Sequence, residues 1–63
     1  MERPHFHAMM NYDLEAYIRA NNNGMFDLGE VFSFYDEDDV DAAADYRDEL
    51  LSVAEEIFYI NNK

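Results

Sequence analysis

The sequence predicts an all-α fold, a small bundle of three helices whose last helix is long, acidic and amphipathic. The segment from about Asp39 to Ile60 contains many strong helix formers and no Gly or Pro. Two shorter apolar segments precede it, separated by a run of Asn and Gly that is typical of a turn. Because 49% of the residues are hydrophobic, the composition is that of a folded domain rather than of a disordered acidic tail. The 63 residues are expected to form a single small domain, 1–63.

The first helix is predicted over about residues 12–21, after an irregular lead at residues 1–10. Pro4 disfavours helix in that lead, and Asn11 is a favourable N-cap for the helix that follows. Apolar side chains then recur at the three- and four-residue spacing of one helical face. The run Asn21-Asn22-Asn23-Gly24 is expected to end the helix, because Asn and Gly tolerate the left-handed backbone conformation.

The second helix is predicted over about residues 28–35, with Asp27 as its N-cap. A short strand at residues 31–35 is the alternative, because this segment is rich in aromatic and β-branched residues. The helix is preferred, since apolar and polar residues alternate poorly there. If the strand formed, a hairpin through residues 22–24 would make the fold α+β.

The third helix, at about residues 39–60, separates apolar and acidic side chains onto opposite faces. At about 100° per residue, one broad arc contains the apolar side chains of Val40, Ala43, Ala44, Leu50, Leu51, Val53, Ala54, Ile57, Phe58 and Ile60. The opposite arc contains Asp41, Asp45, Asp48, Glu49, Ser52, Glu55 and Glu56. This pattern is typical of a helix that packs on a core with one face in solvent. The apolar arc of this helix is wide for two short helices to cover. A homodimer, in which a second copy covers the rest, is therefore a further prediction.

The acidic residues are concentrated in one stretch of the chain. Ten of the fifteen lie between Asp36 and Glu56, opposed only by Arg47, so this stretch carries −9 of the formal net charge of −11. Its first four acids lie at the start of the third helix, where negative charge is favourable. The others repel one another on folding, which indicates a role other than stability. The predicted partner-binding surface comprises Asp36, Glu37, Asp38, Asp39, Asp41, Asp45, Asp48, Glu49, Glu55, Glu56 and Tyr59.

The same charge predicts the class of partner. A surface with so many carboxylates is complementary to a basic protein that binds nucleic acid, and it repels nucleic acid and anionic membranes themselves. The chain has no apolar run of about 18 residues, the length of a membrane span. Its first residues lack the basic-then-apolar pattern of a signal peptide, so the expected localisation is the cytoplasm.

Neither a catalytic site nor a metal site is expected. The chain has no cysteine, which excludes thiolate ligands and disulfides. A calcium loop beginning at Asp36 would require a glycine at Asp41 and a glutamate at Arg47, and it has neither. His5 and His7 supply two ligands, whereas a zinc site needs at least about three. No Ser or Thr lies in a nucleophile motif, so we predict neither an enzyme nor a cofactor.

A cysteine-free helical chain of 63 residues with the block Asp36-Glu37-Asp38-Asp39-Val40-Asp41 and an acidic helix resembles the small phage-encoded inhibitors of bacterial defence. These are anti-CRISPR and anti-restriction proteins, many of which are acidic and some of which mimic DNA. The resemblance covers the whole chain in size, charge and architecture, and it transfers no individual residues. It implies a non-catalytic inhibitor that occupies the DNA- or guide-binding surface of a Cas or restriction complex in an infected bacterial host.

Two other interpretations of the acidic face stay open. It can be a solvated surface that keeps a small hydrophobic protein in solution. The chain can also be an antitoxin-like or transcription-regulator-binding module with a hydrophobic interface formed by Phe34, Tyr59 and residues 5–10. Tyr46 and Tyr59 fall at or within the acidic arc, where they either contribute to an interface or pack on the first helix or the N-terminal lead.

Overall fold

A computed structural model describes residues 3–34 and 39–62. These ranges contain three α-helices: α1 (Asn11–Asn21), α2 (Leu28–Val31) and α3 (Val40–Asn61). Two short 3-10 helices, Phe6–Ala8 and Phe32–Phe34, precede α1 and follow α2. Because the described residues contain no strand, the all-α prediction is confirmed and the strand alternative is wrong for residues 31–34. Tyr35, the last residue of that alternative strand, lies outside the described residues.

Helix α1 begins one residue earlier than predicted, because Asn11 is its first residue and not its N-cap. The N-cap is Met10, whose side chain caps nothing, while the Asn11 Oδ1 atom accepts a hydrogen bond from Arg47 Nη1 at 2.8 Å. The predicted end is confirmed: Asn23 and Gly24 have φ angles of 52° and 77°, in the left-handed region. The Asn11 side chain thus makes a tertiary contact instead of the expected cap. The turn at Asn23 and Gly24, in contrast, ends the helix as predicted.

Helix α2 is capped as predicted and is shorter than predicted. The Asp27 Oδ1 atom accepts hydrogen bonds from the backbone N–H groups of Gly29 at 3.0 Å and Glu30 at 3.4 Å. The α-helix ends at Val31, and the chain continues as a 3-10 helix over Phe32–Phe34. Ser33 contributes to this change, because its Oγ atom donates to the Glu30 carbonyl at 2.7 Å and so competes with helical hydrogen bonding.

Helix α3 follows the predicted boundaries to within one residue at each end. Asp39 is its N-cap, and the Asp39 Oδ1 atom accepts from the N–H groups of Asp41 at 2.9 Å and Ala42 at 3.2 Å. The helix continues to Asn61, where the Asn62 N–H closes the last turn on the Phe58 carbonyl at 3.0 Å. The long helix is thus held at its start by a local side-chain cap.

Replacing Asp39 with alanine is expected to lower the free energy of unfolding by about 1 kcal/mol, the usual value of such a cap. The reason is that two backbone N–H groups of the first turn lose their acceptor. Urea unfolding monitored by circular dichroism measures the change. Asp45→Ala is the matched control, because Asp45 is exposed in the helix interior, where alanine is the better helix former. Equal effects of the two substitutions would contradict the capping role.

The lead and α1 both pack along α3, in opposite directions. Arg3 contacts Glu55 near the end of α3, whereas the His7 carbonyl accepts from Arg47 Nη2 at 2.9 Å, two turns earlier. The chain then reverses, and α1 runs in the same direction as α3. At its end the Asn61 Nδ2 atom donates to the Asn21 carbonyl at 2.9 Å. The predicted irregular lead is therefore a packed element that covers one side of the long helix.

The core lies between α3, α1, the lead and the α2 segment. Its fully or nearly fully buried members are Phe6, Leu14, Ile18, Val31, Tyr46, Leu50, Val53, Ala54 and Ile57. The middle of the predicted apolar arc of α3 is therefore covered within one copy of the chain. The ends of the arc are not, since Val40 is 85% and Ile60 is 45% exposed. The width of the arc thus gives little reason for a homodimer once the lead is packed against it.

Candidate partner-binding surface

The outer face of α3 carries a line of exposed carboxylates, here called the acidic ribbon, which comprises Asp41, Asp45, Asp48 and Glu56. At about 100° per residue these four side chains lie within an arc of about 80°. With a rise of about 1.5 Å per residue, the first three are separated by about 4.5 to 6 Å along the axis. Ser52 occupies the position between Asp48 and Glu56, which are about 12 Å apart. The ribbon therefore has a dense half near the start of α3 and a sparse half near its end.

None of the ribbon carboxylates is part of an ion pair with a residue of the described ranges. The described arginines are occupied elsewhere. The Arg19 guanidinium lies 4.5 Å from the centre of the Phe32 ring, and the Arg47 guanidinium donates to Asn11 and to the His7 carbonyl. The charge of the ribbon is thus left uncompensated within the described part of the chain, and it faces solvent.

Two further acids that we predicted to bind a partner flank the ribbon. Glu55 is not free: its Oε1 atom pairs with Arg3 and lies 3.8 Å from the His7 Nε2 atom. Glu49 is half-buried on the other edge, beside Asp27 and Glu30, where the three line a small cavity. Glu49 and Glu55 therefore lie at the two edges of the negative surface and not among the ribbon carboxylates.

The acids before α3 divide into two groups. Asp39 lies at the N-terminus of the helix, where its side chain serves as the cap. Asp36, Glu37 and Asp38 lie outside the described residues. Of the four acids that we predicted at the start of α3, Asp39 is therefore the one within the described residues.

The two tyrosines near the acidic arc differ in role. Tyr46 is 1% exposed, and its hydroxyl donates to the Glu15 Oε1 atom on α1, so its packing on the first helix is the correct alternative. The signal was present in the sequence, because Tyr46 precedes Leu50 and Val53 at the spacing of one helical face. Tyr59, in contrast, is 67% exposed at the far end of the ribbon.

At this end of α3 a groove of about 380 Å³ adjoins the ribbon, lined by Arg3, Glu55, Phe58, Tyr59 and Asn62. The sequence does not predict this groove, because Arg3 comes from the lead and no local signal places it beside α3. A second cavity of about 340 Å³ shares Phe58 and Asn62 with this groove and is otherwise lined mainly by asparagines and Tyr17. Burial raises the pKa of Tyr17 above its ordinary value of 10.0, so its phenol is neutral at physiological pH. The linings of these two cavities are therefore mainly aromatic and amide side chains, with Glu55 as their one carboxylate.

Two features are absent from the described part of the chain, a metal-binding cluster and a membrane-spanning helix. Within residues 3–34 and 39–62, no three His, Asp or Glu side chains converge where a metal ion could be held. None of the described helices is long and apolar enough to span a bilayer. Comparisons with models of known protein families, with curated proteins and with solved structures find no match to this chain.

Proposed function

We propose that this protein is a non-catalytic inhibitor that binds, through the acidic ribbon, the positively charged nucleic-acid-binding surface of a bacterial defence complex such as a CRISPR–Cas effector. One observation carries the proposal. The four ribbon carboxylates lie in line on the exposed face of a single helix, and none pairs with a cation in the described part of the chain.

The spacing of the dense half suits a surface that holds phosphates. Asp41, Asp45 and Asp48 follow one another at about 4.5 to 6 Å along the helix axis, whereas phosphates of one DNA strand follow at about 3.4 Å. Long, flexible Lys and Arg side chains can bridge this difference. The ribbon would thus occupy a short section of a phosphate-binding groove with fewer charges than the nucleic acid it displaces.

The asymmetry of the charge favours a binding role over a general role in solubility. Outside residues 36–56 the formal net charge is −2, because Arg3, Arg19 and Lys63 nearly balance five acids. A surface that serves only solubility has no need to confine its charge to one helix face. Confined charge produces a directed field, which speeds the approach of an oppositely charged partner.

Binding to the partner is expected to weaken strongly with salt and to compete with nucleic acid. A purified effector complex, with its DNA cleavage followed at increasing concentrations of this protein, supplies the assay. Raising NaCl from about 50 to about 500 mM should reduce inhibition steeply, since the Debye length falls several-fold over this range. Duplex DNA should displace the protein. Inhibition that is indifferent to both salt and DNA would contradict occupation of a basic groove.

A second function is favoured by one specific observation. Tyr59 and Ile60 are adjacent, apolar and 67% and 45% exposed, which is the composition of a small hydrophobic interface. An antitoxin-like or transcription-regulator-binding module would use such residues at the centre of the contact and the acids at its rim. Binding that persists at about 500 mM NaCl would identify this second function, because hydrophobic contacts are not screened by salt.

A further inference from the structure

The groove at the end of the ribbon has a chemistry that the ribbon lacks. Its lining combines the ion pair of Arg3 and Glu55 with the aromatic rings of Phe58 and Tyr59 and the amide of Asn62. The Glu55 side chain is 39% exposed, and its Oε1 atom already accepts from the Arg3 guanidinium. The groove thus places a partly exposed carboxylate beside two aromatic rings.

Two side chains of the groove, Asn62 and Glu55, have acceptor positions that a further hydrogen-bond donor could use. The Asn62 Nδ2 atom donates to the Phe58 carbonyl at 3.0 Å, which orients the amide and leaves its Oδ1 atom without a donor in the described ranges. A carboxylate has about four acceptor positions, so Glu55 can accept from a second cation while it holds Arg3. Beyond the ion pair of Arg3 with Glu55, the groove therefore offers free acceptor positions and aromatic surface.

We infer that this groove binds an arginine side chain of the basic partner, an inference that rests on the proposed function. A guanidinium is a planar fork of five donors that pairs with carboxylates and stacks on aromatic rings. The ammonium of lysine is a compact, strongly hydrated charge without a plane to stack. The chain's own Arg3 illustrates the preference, since its guanidinium pairs with Glu55 and lies 5.4 Å from the centre of the Phe6 ring.

Charge complementarity selects a basic polypeptide over a second copy of this chain as the occupant. Glu56 lies one residue from Glu55, and the rest of the ribbon continues in line from it. A second copy docked on this groove would bring two ribbons of the same sign together, which is repulsive. A basic partner that lies along the ribbon instead reaches the groove at the end of α3, where Tyr59 supplies exposed aromatic surface.

Labelled deca-arginine and deca-lysine peptides test the inference, with affinity measured by fluorescence anisotropy. The wild-type protein should bind deca-arginine about fivefold more tightly than deca-lysine, the factor expected of one exposed cation–π contact. Tyr59→Ala should reduce this preference to about one, with little change in affinity for deca-lysine. Tyr12→Ala is the matched control, because Tyr12 is 78% exposed on α1 and lies outside the groove, and it should keep the full preference.

The outcomes separate the groove from the ribbon. Salt-sensitive binding of both peptides, without an arginine preference that depends on Tyr59, would overturn the arginine site and leave the ribbon proposal standing. Binding of neither peptide by the wild-type protein would overturn both. In a third arm, Glu55→Gln should lower the affinity for deca-arginine more than that for deca-lysine, and an equal loss for both would also overturn the site.

Discussion

Replacing Asp41, Asp45 and Asp48 together with lysine is expected to abolish inhibition of the partner complex. The three substitutions change the net charge from −11 to −5 and convert the dense half of the ribbon into a basic surface. Losing three exposed ion pairs of up to about 1 kcal/mol each lowers affinity by about 100-fold, before repulsion between like charges is added. Titration of the variant into the cleavage assay at about 100 mM NaCl measures the loss under weak screening.

A matched pair of double variants separates the position of the charge from its amount. Asp41→Lys with Asp45→Lys and Asp13→Lys with Glu30→Lys both change the net charge from −11 to −7. Asp41 and Asp13 each lie in the first turn of a long helix, so the two variants lose similar interactions with a helix dipole. Only the first pair changes the ribbon, and only it should weaken inhibition strongly.

Equal inhibition by the two double variants would mean that net charge alone matters, as a long-range steering effect does. Full inhibition by the triple variant would leave the ribbon as a solvated surface that keeps the protein in solution. In that case the variant should aggregate more readily than the wild-type protein near its new isoelectric point, which light scattering detects.

The fold was predictable from the sequence because its signals are local. The apolar periodicity of α3, the Asp27 and Asp39 caps and the Asn-Gly stop after α1 act within a few residues of chain. The error at the end of α2 has a local cause at Ser33, whereas the error at the start of α1 came from a contact between distant segments. Arg47 engages Asn11, so Asn11 does not cap α1, and this pairing of residues 36 positions apart has no local signature.

The candidate surface was predictable in part for the same reason. Helical spacing places Asp41, Asp45 and Asp48 on one exposed face, and the structure has them there. Spacing alone could not indicate that Glu55 is paired, because Arg3 reaches it from the other end of the chain. The groove beside Tyr59 depends on the same contact between Arg3 and Glu55, so it could not be predicted from local sequence.

The lead should prove essential to the fold, and Phe6→Ala is expected to have the largest effect of any single substitution discussed. Phe6 is fully buried, and its ring packs in T-shaped contacts with the rings of Tyr17 and Phe58 at centroid distances of 5.1 and 6.2 Å. Truncating a buried Phe costs about 3 to 5 kcal/mol. A domain of this size has a total stability of roughly 3 to 9 kcal/mol, so much of the protein should unfold.

Thermal unfolding followed by circular dichroism measures the effect, and we expect the melting temperature to fall by more than about 12 °C. Tyr12→Ala removes an aromatic ring that is 78% exposed and should change the free energy of unfolding by less than about 0.5 kcal/mol. Phe6→Leu keeps most of the buried volume, so its melting temperature should lie between those of Phe6→Ala and Tyr12→Ala. If Phe6→Ala melted like Tyr12→Ala, the lead would not be packed against α3, and neither Arg3 nor the groove that it lines would be positioned as described.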